Sequence, residues 1–263
     1  MASAILIAVL AALSAIDSAS ALSISPRHDG YNPGSAHPSN GICTDFTITK
    51  TVTALNFPFV LPKWKNNYDV AGFLESLARK PAKDPKDALV PFGQPSNLTQ
   101  THTIFATFCS PKNTKKGKES TVLVATHGLG YDGRYWASTY KPEEYSFVGH
   151  ALDAGYSVFY YDRVGTGKSS SPSGFVTQES DQQAFLSKIV KDIRGGKWTN
   201  KIQAKKIVLV GHSFGSFTSN ALIAAEPGLV EGESSRKLYS RHQLTVSRSR
   251  SYWNGVPHQR RLC

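Results

Sequence analysis

Residues 207–215 read IVLVGHSFG, and residues 216–225, SFTSNALIAA, continue without a break. The first four residues form a short, wholly apolar run of the kind found in a strand covered on both faces by helices. The second part carries a helical pattern from Ser213 to Ala225, with Phe217, Ala221, Leu222 and Ala225 on the expected buried face, and stops at Pro227-Gly228. Between them lies Gly211-His212-Ser213-Phe214-Gly215. Glycines on both flanks permit a tight strand-to-helix turn with the serine at its apex. Such a turn lifts the Ser213 hydroxyl above the carboxyl edge of a sheet. It also aims the Phe214 N–H, with the helix dipole behind it, at an oxyanion forming on an attacked carbonyl.

Working outward, the same alternation recurs. Thr121–Thr126 (TVLVAT) is a continuous apolar strand, followed by His127-Gly128-Leu129-Gly130. In that glycine-rich turn the Leu129 N–H is the second donor an oxyanion needs, and His127 reads as a residue that shapes the turn. Tyr145–Asp153 is a helix ending at Gly155, Tyr156–Tyr161 a strand, and Gln178–Arg194 a helix closed by Gly195-Gly196. Upstream, Phe46–Phe57 and Thr101–Phe108 read as strands, joined through a proline-spaced region with one helix around Val70–Ala78. Strand and helix alternating in this way make an α/β domain with a doubly wound, mostly parallel sheet.

The fourth strand runs into Asp162–Ser169, DRVGTGKS. Its Gly167-Lys168-Ser169 imitates the end of a phosphate-binding loop, but the first glycine such a loop requires falls on Asp162, and loop chemistry rather than a helix follows. A nucleotide-binding reading through Lys168 is therefore rejected. HGLG, DRVGTGKS and GHSFG together resemble the α/β-hydrolase family, over about Cys43 to Gly228. The resemblance implies a serine hydrolase in which Ser213 attacks an ester or related acyl carbon and forms an acyl-enzyme. It implies a small-molecule ester or lipid-like substrate and calls for neither a metal nor an organic cofactor.

One part of that pattern fails. The family's relay runs serine, then Asp or Glu, then His along the chain, yet no Asp follows Ser213. The later acids are Glu226, Glu231 and Glu233, and the later histidines His242 and His258. His28, His37, His102, His150 and His212 are no better placed as the base. Residues 231–263 carry few apolar residues and no sustained period, and they hold seven Lys/Arg against two Glu. The expectation is a partial domain over 41–230 that lacks the C-terminal strands. The outer edge of IVLV is then unpaired, and a basic, strandless, disordered tail follows. An abrupt change of composition near Gly232 fits a truncated or frame-shifted chain, and without acid and histidine the expected activity is weak or absent.

The remaining features bear on compartment and partners. Ala4–Leu13 is apolar but too short to span a bilayer, and Ala19-Ser20-Ala21 offers a small-x-small cleavage site, so residues 1–21 read as a signal peptide and 22–40 as a flexible lead-in. Secretion gives Cys43 and Cys109, each beside a strand, a role as a disulfide; Cys263 is left over. Asn97-Leu98-Thr99 is a glycosylation sequon, placed in a Pro/Gly/Ser-rich loop. The net charge of +11 is concentrated in the tail and in the loop holding Lys112, Lys115, Lys116 and Lys118. Neither cluster is interleaved with stacking aromatics, so no nucleic-acid partner is expected, SRSRS at 247–251 included. Oligomeric state is not legible.

Overall fold

A computed structural model of the chain describes residues 37–61, 63–78 and 90–236. The signal segment, nearly all of the lead-in and residues 237–263 lie outside the described residues, as do His28, His242, His258 and Cys263.

The described residues form one six-stranded sheet in the order β1-β2-β4-β3-β5-β6. The strands are β1 (Gly41–Asn56), β2 (Ser96–Pro111), β3 (Thr121–Thr126), β4 (Ser157–Tyr161), β5 (Lys206–His212) and β6 (Gly232–Arg236). β1 and β2 are an antiparallel ribbon in unbroken register from Gly41↔Pro111 to Asn56↔Ser96. β3, β4, β5 and β6 run parallel to one another. The helices are α1 (Asn67–Ala78), α2 (Pro142–Tyr145), α3 (Phe147–Asp153), α4 (Glu179–Arg194) and α5 (Phe214–Ala225).

Two apolar layers cover the sheet. On one face Val122, Val124, Phe159, Ile207 and Leu209 pack with Phe185, Leu186 and Ile189 of α4 and Leu222 of α5. On the other, Leu123, Ala125, Val158 and Val210 pack with Val148, Ala151 and Leu152 of α3. Central strands wedged between two layers explain the uninterrupted apolar runs TVLVAT and IVLV. On the outer face of the β1–β2 ribbon the hydroxyls of Thr49 and Thr103, Thr51 and Thr101, and Thr53 and Thr99 pair across the strands at 2.8 Å each.

Several expectations are corrected. The helix read over Tyr145–Asp153 is two helices, because Ser146 adopts an extended backbone and its Oγ accepts the Gly149 N–H as the N-cap of α3. β5 is not the outer edge: β6 pairs with it from Val208↔Gly232 to His212↔Arg236, so a strand lies where a strandless tail was expected. Asn97 is exposed but lies within β2, opposite Leu55, rather than in a loop. The buried face of α5 is Phe214, Gly215, Thr218, Ser219 and Leu222, while Phe217 is exposed and Ala221 and Ala225 are not buried. Gly215 sets this rotation. A Cβ there would fall 2.0 Å from the Thr126 carbonyl oxygen, so the glycine must face the sheet, and positions 218, 219 and 222 follow it round. Cys43 and Cys109 face each other in register and form a disulfide.

Candidate active site

Three turns leave the carboxyl ends of neighbouring parallel strands, and all three motifs lie on them: HGLG after β3, DRVGTGKS after β4, and the serine turn after β5. Ser213 is exposed and has φ 51° and ψ −117°, a conformation that L-residues with a Cβ avoid. The surroundings over-determine it. A Cβ on Gly211 would meet the Ser216 Cα at 2.4 Å, and one on Gly215 would meet the Thr126 carbonyl, so both glycines are obligatory for the chain to turn this sharply. Ser213 accepts the Ser216 N–H on its carbonyl at 3.0 Å, and α5 begins at the next residue. Phe214 is buried with the positive end of the helix behind its amide.

The HGLG turn packs directly on this elbow. A Cβ on Gly128 would lie 2.8 Å from His212 Nδ1 and 3.1 Å from Ser213 Cβ, so the third glycine is there to let two turns touch. Leu129, next in the chain, is thereby placed beside the elbow and is only partly buried. His127 is fully buried and has both ring nitrogens engaged: Nε2 accepts the Arg163 N–H at 3.0 Å, which leaves Nδ1–H to donate to the Gly128 carbonyl at 2.8 Å. Burial, then the Arg163 charge, pulls its pKa down to about 3, so the ring is a neutral brace. His212 turns its ring away onto Tyr135, stacked at 4.4 Å between centroids, with Tyr131 against its edge, and burial lowers its pKa.

Asp162 explains why DRVGTGKS is not a phosphate cradle. Its carboxylate accepts the N–H groups of Gly133 and Lys168, each at 2.7 Å. It also fills the space where a Gly167 Cβ would project, 2.1 Å from Oδ2. The amide a phosphate would need is taken, and the Lys168 ammonium sits over the Phe105 ring at 4.4 Å.

Two of the acids after Ser213, Glu226 and Glu231, lie elsewhere. Glu226 closes α5, one helix length from Ser213, about 18 Å at the usual rise, and is tied to Ser187 and to Lys191. Glu231 accepts the Ile207 N–H at 2.7 Å and Arg194 at 2.8 Å. It therefore sits at the opposite end of β5, about 20 Å away at strand rise. Sequence reasoning missed a buried His102–Asp181 contact, Nε2 to Oδ2 2.8 Å with both side chains 2% exposed. His102 is on β2, three strand spacings from β5, about 14 Å, so this pair does not reach Ser213. Nothing marked it in sequence, since the partners are 79 positions apart. Among the described residues no group of three His, Cys, Asp or Glu side chains is placed to hold a metal.

With this geometry, residues 122–254, just over half of the chain, match the family model for the alpha/beta hydrolase family. The chain belongs to the α/β-hydrolase family. It is 28% identical over 137 residues to the abhydrolase domain-containing protein abhd-5.2 of Caenorhabditis elegans, a stretch that is 52% of this chain and 27% of that protein. The chain thus spans about a quarter of the length of the curated relative it matches. Among solved structures, epoxide hydrolase A of Mycobacterium thermoresistibile is similar with a TM-score of 0.36 and 20% identity, over 50% of this chain and 35% of that one. An α/β serine hydrolase without a lid from Xanthomonas campestris gives 0.40 and 15%, over 51% and 55%. No helix of the described residues is long and apolar enough to cross a membrane.

Proposed function

We propose that the protein is a serine hydrolase in which Ser213 attacks the carbonyl carbon of a small ester or lipid-like acyl substrate. The hydroxyl proton passes to a base as the Oγ–carbon bond forms, the carbonyl electrons move onto oxygen, and the amides of Phe214 and Leu129 receive the resulting charge. Collapse expels the alcohol and leaves an acyl-enzyme for water to clear. The observation that carries this reading is the exposed Ser213 at φ 51°, ψ −117° at the head of α5. A strained, non-glycine residue persists at a site like this when function requires its side chain there.

Turnover is proposed to be impaired. Glu226 and Glu231 are committed far from the serine, His127 is a brace, and His212 is turned onto Tyr135. These observations favour the second reading, a non-catalytic member of the family that keeps the elbow. A fluorophosphonate probe separates the two: labelling of the wild type at Ser213 and none of S213A supports an activated hydroxyl, whereas equal, negligible labelling of both leaves the non-catalytic reading. Secretion is proposed with it, from the signal-like residues 1–21 and the Cys43–Cys109 disulfide. Asn97, exposed on β2, is the proposed glycan acceptor. Deglycosylation followed by mass measurement of material from the culture medium tests both proposals.

A further inference from the structure

Arg163 is 3% exposed, which is unusual for a guanidinium, and two of its donors are directed at the turn after β3. Nε–H donates to the His127 carbonyl and Nη2–H to the Gly128 carbonyl, both at 3.1 Å. The guanidinium carbon lies 4.7 Å from the centre of the Phe214 ring. One side chain from the β4 turn thus grips the β3 turn through two carbonyls and rests on the first residue of α5. The carboxyl of Glu179, at the start of α4, feels the Arg163 charge. Its Oε2 accepts the Thr218 hydroxyl of α5 at 3.0 Å, and its Oε1 is buried without a hydrogen-bond partner among the described residues.

We propose that Arg163 and Glu179 act together as positioning residues. The guanidinium clamps the oxyanion turn to the nucleophile helix, and the Glu179 carboxylate, when ionised, holds the guanidinium in place. The clamp rests on the reading of Leu129 and Phe214 as oxyanion donors. Its logic is geometric: the two amides come from different turns, so their spacing is set by whatever ties the turns together. The groups facing Glu179 are few. Arg163 approaches from the β4 turn, the Tyr161 hydroxyl from β4 and the Thr218 hydroxyl from α5, while Asp181 on its own helix is turned to His102. Tyr161 is pushed up to about 12 by burial and stays neutral. Burial likewise pushes Glu179 up to about 8, with the Thr218 bond and Arg163 opposing it, so the carboxylate forms as the solution turns alkaline.

The test follows backbone hydrogen exchange by mass spectrometry in the segments 127–131 and 211–216, corrected for the intrinsic pH dependence, in the full chain and in E179Q and R163M. Fluorophosphonate labelling of Ser213 is timed in parallel. In the wild type, protection of both segments relative to that of the β1–β2 ribbon, which follows global stability, rises as Glu179 ionises near pH 8; in E179Q that ratio stays flat. R163M loses protection at every pH and labels about 100-fold more slowly, as a displacement on the order of 1 Å costs. If R163M does not fold, R163K replaces it, keeping the charge but reaching only one of the two carbonyls. An E179Q exchange profile superimposed on the wild type, or arginine variants as protected as the wild type, overturns the clamp. If the wild type resists the probe while exchange behaves as described, the proposed serine chemistry fails and the clamp stands.

Discussion

Glu179→Gln is expected to alter stability in a strongly pH-dependent way. Glu179 titrates near 8 in the folded protein against 4.5 for an unperturbed glutamate, a shift upward of about 3.5. The sign follows from linkage. Between these values the unfolded chain has released the proton and the folded chain still holds it, so stability falls as pH rises. The loss starts near pH 4.5, ends near pH 8 and is constant above that. At about 1.4 kcal/mol per unit the full loss is about 5 kcal/mol. Glutamine keeps an oxygen to accept the Thr218 hydroxyl and carries no ionisable group, so E179Q matches the wild type in acid and exceeds it in base. In melting temperature the gain is about 2–4 °C per kcal/mol for a chain of this size. Paired thermal melts of the two proteins across pH, plotted as their difference, remove every contribution they share, His127 included. A difference that does not grow from pH 4.5 to pH 8 would falsify the buried-carboxyl argument.

Other outcomes follow from the same structure. His127, held neutral with its pKa near 3, makes the fold lose stability as pH drops below 6.5, by about 1.4 kcal/mol per unit; H127Q melts, compared with the wild type, read the slope. G215A places a methyl 2.0 Å from a backbone oxygen and is expected to abolish the cooperative melt, while G72A, on exposed α1 with open space around it, gains about 1 kcal/mol in denaturant unfolding. C43A/C109A removes a crosslink spanning 66 positions, for which chain entropy gives about 4 kcal/mol; an unchanged urea midpoint under oxidising conditions refutes it.

The strands and turns that carry the site were legible because each expresses a local rule. TVLVAT and IVLV are apolar throughout since both faces are covered, and the glycines of GHSFG mark places where a Cβ would come as close as 2.0 Å to neighbouring backbone. What escaped is what local rules do not encode. Gly232–Arg236, GESSR, lacks the β-branched and aromatic residues by which strands are recognised, yet its backbone pairs along β5. Helical periodicity placed Phe217 inside α5, but the approach of Gly215 to β3 dictated the rotation and turned Thr218 and Ser219 inward instead. Residues 163, 179 and 218 come together only once the β4–α4–β5 crossover has been wound and α5 has packed back on the sheet, so their network leaves no trace along the chain. That no Asp follows Ser213 was legible from chain order alone; the structure adds where Glu226 and Glu231 are engaged.

The bridge between Cys43 and Cys109 joins residues directly opposite one another in a ribbon whose two faces could hardly differ more. Threonines 47, 49, 51 and 53 look outward while Ile48 and Val52 look in. Sliding one strand past the other by a single position would thread hydroxyls into the apolar layer over α4 and push isoleucine and valine into water. A covalent tie near one end of sixteen paired positions forbids that slide along the whole length. The bond therefore acts as a locating pin, and its reduction frees the ribbon to sample frames that the bonded chain never visits.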